Sequence, residues 1–149
     1  MFGIPVQRVM KRLRYAYHKN SSKHIVLHSV QPYMDSLAYR LDTPDGSVVF
    51  TGDTSPCQSV EALAKGADVL LCMCWGDQDI VDASGESAAV CGTVDAARMA
   101  QAAGVAKLVL IHVGRELDQT AAREKAIGDI EQVFDGDLVF SEELTTIDL

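Results

Sequence analysis

The feature that most constrains the fold is an apolar run that ends abruptly in a glycine and an acid. It reads Ser47-Val48-Val49-Phe50-Thr51-Gly52-Asp53-Thr54. A run rich in Val and Phe predicts a strand buried on at least one face, and Gly52-Asp53 ends it. A carboxylate at the carboxyl end of such a strand lies at the rim of the sheet, where α/β proteins place their ligands. The alternative is that Asp53 and Thr54 only cap the next helix or close a turn.

The rest of the pattern predicts one α/β domain, in which strands and helices alternate after Asp53. The expected strands cover residues 25–28, 37–41, 47–51, 68–74, 107–112, 137–140 and 145–149. The expected helices cover residues 5–17, 59–65, 94–103 and 117–134, with Thr93 as the cap of the third. Residues 29–35 are expected to be a loop, and residues 76–92 a long loop of the kind that carries function. The turn at 43–46 makes the second and third strands an antiparallel pair.

Charge is divided unevenly along the chain. Residues 1–34 hold six basic groups and no acid, whereas residues 35–149 hold seven basic and 21 acidic groups. The basic arm can meet an anionic substrate or nucleic acid, or it is a solvated helix face that complements an acidic body. No apolar run is long enough for a membrane span, and the N-terminus does not have the pattern of a secretory signal. Four cysteines in an ordinary core do not resemble a disulfide framework, so a cytoplasmic location is expected.

Several candidate metal ligands are predicted to meet at one edge of the sheet. Strand–helix–strand units make parallel connections, so the carboxyl ends of their strands lie on the same edge. Asp53, Cys74 and His112 each fall at or just beyond such an end, and the long loop can carry Cys91 to it. Carboxylate, imidazole and thiolate are all ligands for zinc or iron. The alternative is that Cys74 and Cys91, like Cys72, are small buried core residues.

Five motifs follow one another from residue 25 to the C-terminus. They are His28, Ser36-Leu37-Ala38-Tyr39-Arg40, Val49-Phe50-Thr51-Gly52-Asp53-Thr54, Gly66-Ala67-Asp68-Val69-Leu70-Leu71 and the segment 102–112 that ends in His112. Their ordered combination resembles the metallo-β-lactamase superfamily, and within it the branch of the tRNA 3′-processing endonucleases and arylsulfatase-like hydrolases. The resemblance implies an αββα sandwich, of which residues 25–149 are the C-terminal half. Residues 1–24 lie before it, and the helical period of their apolar residues predicts a basic amphipathic helix there. It further implies a two-metal hydrolase in which Asp53 bridges the metals, His28 binds one and His112 binds the other.

Two departures from that family pattern change the expectation. The His-x-His-x-Asp-His motif, which supplies most of the family's metal ligands, is absent. Cys91-Gly92-Thr93 stands where the branch usually has a histidine motif, and Cys74 where an acid is common. Three remaining ligands hold at most one metal. A different single zinc site, formed by Cys74 and Cys91 with His112 or Asp53, is the alternative.

The sequence therefore predicts a metal-dependent hydrolase, phosphodiesterase-like, present as a truncated or degenerate segment. Zinc, or manganese or iron, is the expected cofactor, unless this chain alone binds no metal. Half a sandwich has a mixed sheet with helices on one face and an uncovered apolar face on the other, so a homodimer through that face is expected. A small-molecule or phosphodiester substrate is expected, with nucleic acid as a further candidate and no membrane partner. The rival hypothesis is a non-catalytic homodimeric interaction module derived from the same fold.

Overall fold

The computed structural model describes residues 22–30, 34–85 and 89–149, with side chains described from residue 36 onward. The strands of these ranges are β1 (Ser22–Val30), β2 (Met34–Thr43), β3 (Gly46–Phe50), β4 (Val69–Met73), β5 (Lys107–Ile111) and β6 (Asp137–Phe140). The helices are α1 (Gln58–Ala64), α2 (Gln78–Ser84), α3 (Thr93–Ala103) and α4 (Thr120–Glu131), with a 3-10 helix at Arg115–Asp118. No helix among them is long and apolar enough to cross a membrane. The helix expected over residues 5–17 lies outside these ranges. The expected N-terminal segment 1–24 also lies outside them, except for its last three residues.

The strands form one mixed sheet whose spatial order is the order of the chain, β1-β2-β3-β4-β5-β6. β1 and β2 are antiparallel, and so are β2 and β3, which are joined directly by a tight turn at Pro44-Asp45. From β3 to β6 the strands are parallel, since a helical connection separates each from the next. The expected α/β class with a mixed sheet is confirmed.

The helices pack together on one face of the sheet. α1 contacts β1, β2 and β3, α3 contacts β4 and β5, and α3 also contacts both α1 and α4. Alternate residues of the strands point into the core between helices and sheet, because side chains of a strand alternate between its faces. The strand side of this core consists of Ala38, Val49, Leu70, Cys72, Leu108 and Leu110, all fully buried. The expectation of helices on a single face is confirmed.

The opposite face, here called the open face, carries a continuous apolar row across five strands. Cross-strand pairing joins Tyr39 to Phe50, Phe50 to Leu71, Leu71 to Val109 and Val109 to Val139. All of these except Val109 are only half-buried, and the neighbouring Leu37 is 41% exposed. The open face is therefore an apolar surface of the kind that binds another protein surface.

Three expected boundaries are wrong in the first half of the chain and around residue 80. Residues 29–35 are not all loop, because β1 continues to Val30 and β2 already begins at Met34. The expected loop at 76–92 contains α2, which begins after Asp77 and ends at Gly85 in the left-handed conformation. The Asp77 carboxylate accepts a hydrogen bond from the Asp79 amide at 3.0 Å, a cap that the Gly- and Ser-rich composition concealed.

Three further expectations are wrong in the second half. Thr93 does not cap α3: it is the first helical residue, the N-cap is Gly92, and the Thr93 hydroxyl accepts from the Gln78 amide at 3.1 Å. The helix expected over 117–134 is divided at Gln119, whose extended backbone separates the 3-10 helix from α4. Residues 145–149 form no strand. Instead the Lys107 ammonium donates to the Asp148 carbonyl at 3.0 Å, which holds the end of the chain against the start of β5.

Candidate functional site

The turn after β3 places Asp53 at the rim of the sheet. Thr51 continues the ladder, its amide donating to the Leu71 carbonyl at 3.1 Å, and its buried hydroxyl accepts from the Met73 amide at 3.2 Å. Gly52 then has a φ of +65°. A Cβ at Gly52 would lie 2.8 Å from the Leu37 carbonyl oxygen, so both the conformation and the space require glycine. The chain therefore turns sharply, and the Asp53 side chain is left 54% exposed.

Capping does not account for Asp53 or Thr54. The N-cap of α1 is Cys57, and the helix start receives no side-chain hydrogen bond from it. The buried Thr54 hydroxyl donates to the Ser55 carbonyl at 2.7 Å and lies 3.8 Å from the Cys57 Sγ, but it makes no hydrogen bond to a backbone amide of α1. Asp53 is thus free to face outward across the rim.

His112 meets Asp53 at this rim. It follows the last residue of β5, and its φ of +55° lies in the left-handed region that few residues other than glycine adopt. Asp53 Oδ1 and His112 Nδ1 are 3.5 Å apart, and the His112 side chain is 49% exposed. The two residues, 59 positions apart in the chain, are brought together by the parallel arrangement of β3, β4 and β5.

The spacing of this pair suits a shared cation better than a direct hydrogen bond. An N–H···O hydrogen bond typically spans about 2.7–3.2 Å between its heavy atoms, which is shorter than the observed distance. Two donors that each lie about 2.1 Å from a tetrahedral zinc are about 3.4 Å from one another. Asp53 and His112 are therefore close enough together that both could bind one metal ion, and a catalytic zinc takes three protein ligands.

Within the described residues the third ligand is not present. No three His, Cys, Asp or Glu side chains of that part of the chain are close enough together to hold a metal ion. The backbone of His28 is paired with Ser36, whose hydroxyl oxygen lies 3.1 Å from the position of a Cβ at Gly52. The pairing register thus brings the His28 backbone toward the turn that carries Asp53, while its side chain lies outside the described set.

Cys74 and Cys91 are part of the core and not of the exposed rim. Both are fully buried in the cluster between helices and sheet, as is Cys72. Their thiols donate to carbonyls close by in the chain, Cys74 to Gly76 at 3.7 Å and Cys91 to Gly92 at 3.6 Å. Burial raises the pKa of Cys74, and a hydrogen bond with Cys72 together with burial raises the pKa of Cys91. Their complete burial in this apolar cluster matches the core alternative better than the zinc alternative.

Trp75 is a residue of this rim that the sequence reasoning missed. Its ring centroid is 5.7 Å from that of His112, the two planes meet at 81°, and the side chain is 45% exposed. Trp75 comes two residues after the end of β4, in line with Asp53 after β3 and His112 after β5. Its position in the sequence could have indicated this. A residue just beyond the carboxyl end of a buried strand lies at the same edge of the sheet as Asp53 and His112.

A family model described as the beta-lactamase superfamily domain matches residues 11–113 of this chain. The chain belongs to the beta-lactamase superfamily. The chain is 35% identical to ribonuclease Z of Brevibacillus brevis over 97 residues, which are 61% of this chain and 29% of that protein. It is 32% identical to ribonuclease Z of Methanothermobacter thermautotrophicus over 105 residues, which are 68% of the chain and 32% of that protein. The chain therefore spans about a third of the length of these curated relatives.

Solved structures show the same fold. The metallo-beta-lactamase fold protein YhfI from Bacillus subtilis superposes with a TM-score of 0.66 at 24% identity, covering 84% of this chain and 48% of that one. The short form of human tRNase Z superposes with a TM-score of 0.65 at 15% identity, covering 88% and 43%. Together with the ribonuclease Z relatives, these matches confirm the resemblance seen in the sequence, including its tRNA-processing branch. In both matches this chain spans less than half of the solved structure.

Proposed function

We propose that this chain contributes metal ligands to a hydrolase that cleaves phosphodiester bonds, with RNA as the substrate class. The observation that carries the proposal is the Asp53–His112 pair, 3.5 Å apart and half-exposed at the carboxyl edge of the parallel strands. The ribonuclease Z relatives support the substrate class, because they are named for the cleavage of RNA. Because the chain spans about a third of those proteins, the activity itself belongs to the proposal.

Asp53 and His112 would hold the metal, and His28 would supply a further ligand. Bound there, a zinc ion would lower the pKa of a coordinated water and polarise a phosphoryl oxygen. The Asp53 carboxylate only accepts hydrogen bonds and binds cations, and the Gly52 turn keeps it facing His112. The left-handed backbone of His112 turns its imidazole away from the line of β5, toward Asp53.

The donor set agrees with the proposed metal. One carboxylate and imidazole nitrogens suit zinc, manganese or iron, whereas softer metals such as copper(I) prefer thiolate ligands. We choose zinc because the spacing of the pair matches a tetrahedral shell. None of the four cysteines, all within the described residues, forms a disulfide, which supports a reducing compartment and hence the proposed cytoplasmic location.

The proposed partner is a second copy of the chain, bound through the open face. Its row of Tyr39, Phe50, Leu71 and Val139 is half-buried and apolar, and dimerisation would remove it from water. The test is sedimentation equilibrium of Leu37→Glu, which places a charge in that face. We expect the wild type to be a dimer and this variant a monomer. Ile80→Glu, a charge at an equally exposed apolar position on α2, should remain a dimer. A wild-type monomer at high concentration would refute the dimer.

One observation favours a second candidate function, a non-catalytic homodimeric interaction module. That observation is the apolar row of the open face, whose members Tyr39, Phe50, Leu71 and Val139 are only half-buried. In a module of this kind the open face would be the functional surface and the rim a remnant.

Metal analysis separates the two functions. The purified wild type and each variant are dialysed against a zinc solution, and the zinc that stays bound is measured. The variants are Asp53→Ala, His112→Ala and Cys91→Ser. Asp118→Ala is the control for loss of an exposed carboxylate. We expect about one equivalent in the wild type, Asp118→Ala and Cys91→Ser, and none in the other two. The wild-type protein should hydrolyse bis(p-nitrophenyl) phosphate, and this activity should disappear when a metal chelator is added. Zinc lost only in Cys91→Ser would assign the metal to the cysteines, and a zinc-free dimer would favour the interaction module.

A further inference from the structure

Trp75 is a large apolar side chain left at the surface of the rim. It is the only tryptophan of the chain, and 45% of its side chain is exposed. Tryptophan combines a broad apolar face with few rotatable bonds, so an exposed one offers contact area at low entropic cost to a ligand. The other large apolar side chains that the structure shows exposed are elsewhere, on β2, on α2 and in the C-terminal segment.

The backbone around Trp75 is held on both sides. Its amide donates to the Cys91 carbonyl at 2.8 Å, and the amide of the preceding Cys74 donates to the Ile111 carbonyl at 2.8 Å. Gly114 lies directly against the Trp75 carbonyl, where a Cβ would collide with that oxygen. The backbone that carries the indole is therefore held between the end of β5 and the start of α3, so binding at Trp75 need not order this segment.

The indole stands beside the metal-binding pair without stacking on it. Its plane is at 81° to the imidazole of His112, with 5.7 Å between ring centroids, so the contact is edge to face. His112 is in turn 3.5 Å from Asp53. The rim thus presents a proposed cation site next to an exposed aromatic ring. A nucleotide presents the matching chemistry, since one ribose joins an anionic phosphate to a planar base.

We propose that Trp75 stacks against a nucleobase of the substrate whose phosphate lies at the Asp53–His112 pair. The inference rests on the proposed function and adds to it a residue that binds substrate. Stacking of a base on an aromatic side chain tolerates every base, because each has a π-face. Trp75 therefore contributes affinity for nucleotides over other phosphate esters, and little preference among bases.

Fluorescence tests this directly, because Trp75 is the sole source of tryptophan emission. Wild-type protein is titrated with adenosine 5′-monophosphate and with ribose 5-phosphate, which lacks the base, both with zinc and with a chelator. We expect saturable quenching by the nucleotide, and binding at least about fivefold tighter than that of ribose 5-phosphate. Equal affinities for the two ligands, or no binding of either under both conditions, would overturn the proposal.

Calorimetry with variants extends the test to proteins that lack the fluorophore. Trp75→Ala should weaken nucleotide binding by about 5- to 100-fold and leave ribose 5-phosphate binding unchanged, whereas Trp75→Phe should keep most of the preference. Ile80→Ala, an equally exposed apolar truncation on α2, should behave as the wild type. Circular dichroism checks that each variant is folded. An unchanged preference in Trp75→Ala refutes the stacking.

The two proposals fail differently. If zinc does not bind, but base-dependent quenching persists in the chelator, the metal site is wrong and the stacking stands. If zinc binds through Asp53 and His112, but Trp75→Ala keeps the nucleotide preference, only the stacking is wrong.

Discussion

Replacing Gly52 with alanine is expected to destabilise the fold and to displace Asp53 from His112. The left-handed conformation costs a non-glycine residue about 1–2 kcal/mol. A new Cβ 2.8 Å from the Leu37 carbonyl oxygen and 3.1 Å from the Ser36 hydroxyl adds overpacking, which costs about 1–3 kcal/mol. The smaller conformational freedom of alanine in the unfolded chain offsets about 0.4–1 kcal/mol. The free energy of unfolding should therefore fall by about 2–4 kcal/mol.

Gly66 provides the matched control for this prediction. Its φ is +63°, nearly the same as that of Gly52, but a Cβ there would meet no atom within 4 Å. Gly66→Ala should therefore lose only about 0.5–1.5 kcal/mol, and the difference between the variants measures the collision at Leu37. Urea unfolding followed by circular dichroism gives both values, and zinc affinity should fall only for Gly52→Ala. Losses equal to within about 0.5 kcal/mol would show that the turn has room for a side chain and refute the reasoning.

The remaining predictions concern charges and thiols. Lys125→Met should lower the free energy of unfolding by about 1–3 kcal/mol, because it removes the ammonium that lies 3.1 Å from the buried Asp77 carboxylate. The double variant with Asp77→Asn should regain most of this loss, and urea unfolding measures both. Two hydrogen bonds from Ser47 lower the pKa of Asp68. The ionised carboxylate therefore stabilises the fold above about pH 4, and this stabilisation is lost as the pH falls through the lowered pKa. The stability difference between wild type and Asp68→Asn should accordingly shrink below pH 4, and a constant difference would contradict it. In native protein a thiol reagent should label only the half-buried Cys57, and the other three cysteines only after unfolding.

The parts of the fold that the sequence predicted are those with strong local signals. The turn residues Pro44, Asp45 and Gly46 between two apolar alternating runs identified the β2–β3 hairpin, and buried runs of branched residues identified β4 and β5. Proline and glycine favour particular backbone conformations whatever the rest of the chain does. A near-continuous apolar run, likewise, has few places other than the middle of a sheet.

The missed elements depend on contacts that no local pattern shows. α2 is only seven residues long with one buried side chain, Val81, so its apolar period is too weak to read. The composition of 145–149 suggested a strand, but this segment pairs with none of the described strands, and the Asp148 carbonyl accepts a hydrogen bond from Lys107 instead. Threonine is a common N-cap residue, which suggested that role for Thr93. Its hydroxyl instead accepts a hydrogen bond from the Gln78 amide of α2.

The site was predictable as far as topology determines it. Parallel strands put Asp53 and His112 on one edge, and their 3.5 Å separation agrees with that expectation, although whether they bind a metal stays a prediction. The roles of Cys74 and Cys91 were left open because residue type alone does not say which face of β4, or which side of a loop, a thiol occupies. Trp75 was overlooked because it is not itself a metal ligand or an acid–base group.

The sheet of the described residues is built in the order in which the chain is synthesised. Each strand pairs with the one that precedes it in the sequence, and none is inserted later between two earlier strands. A nascent chain emerging from the ribosome can therefore add strands one at a time to an edge that already exists. The pairing partner of a new strand is always the most recently added one, which shortens the loops that must close and favours fast folding. Shortening the chain from its C-terminus should accordingly remove β6 first and leave the earlier strand pairs in register.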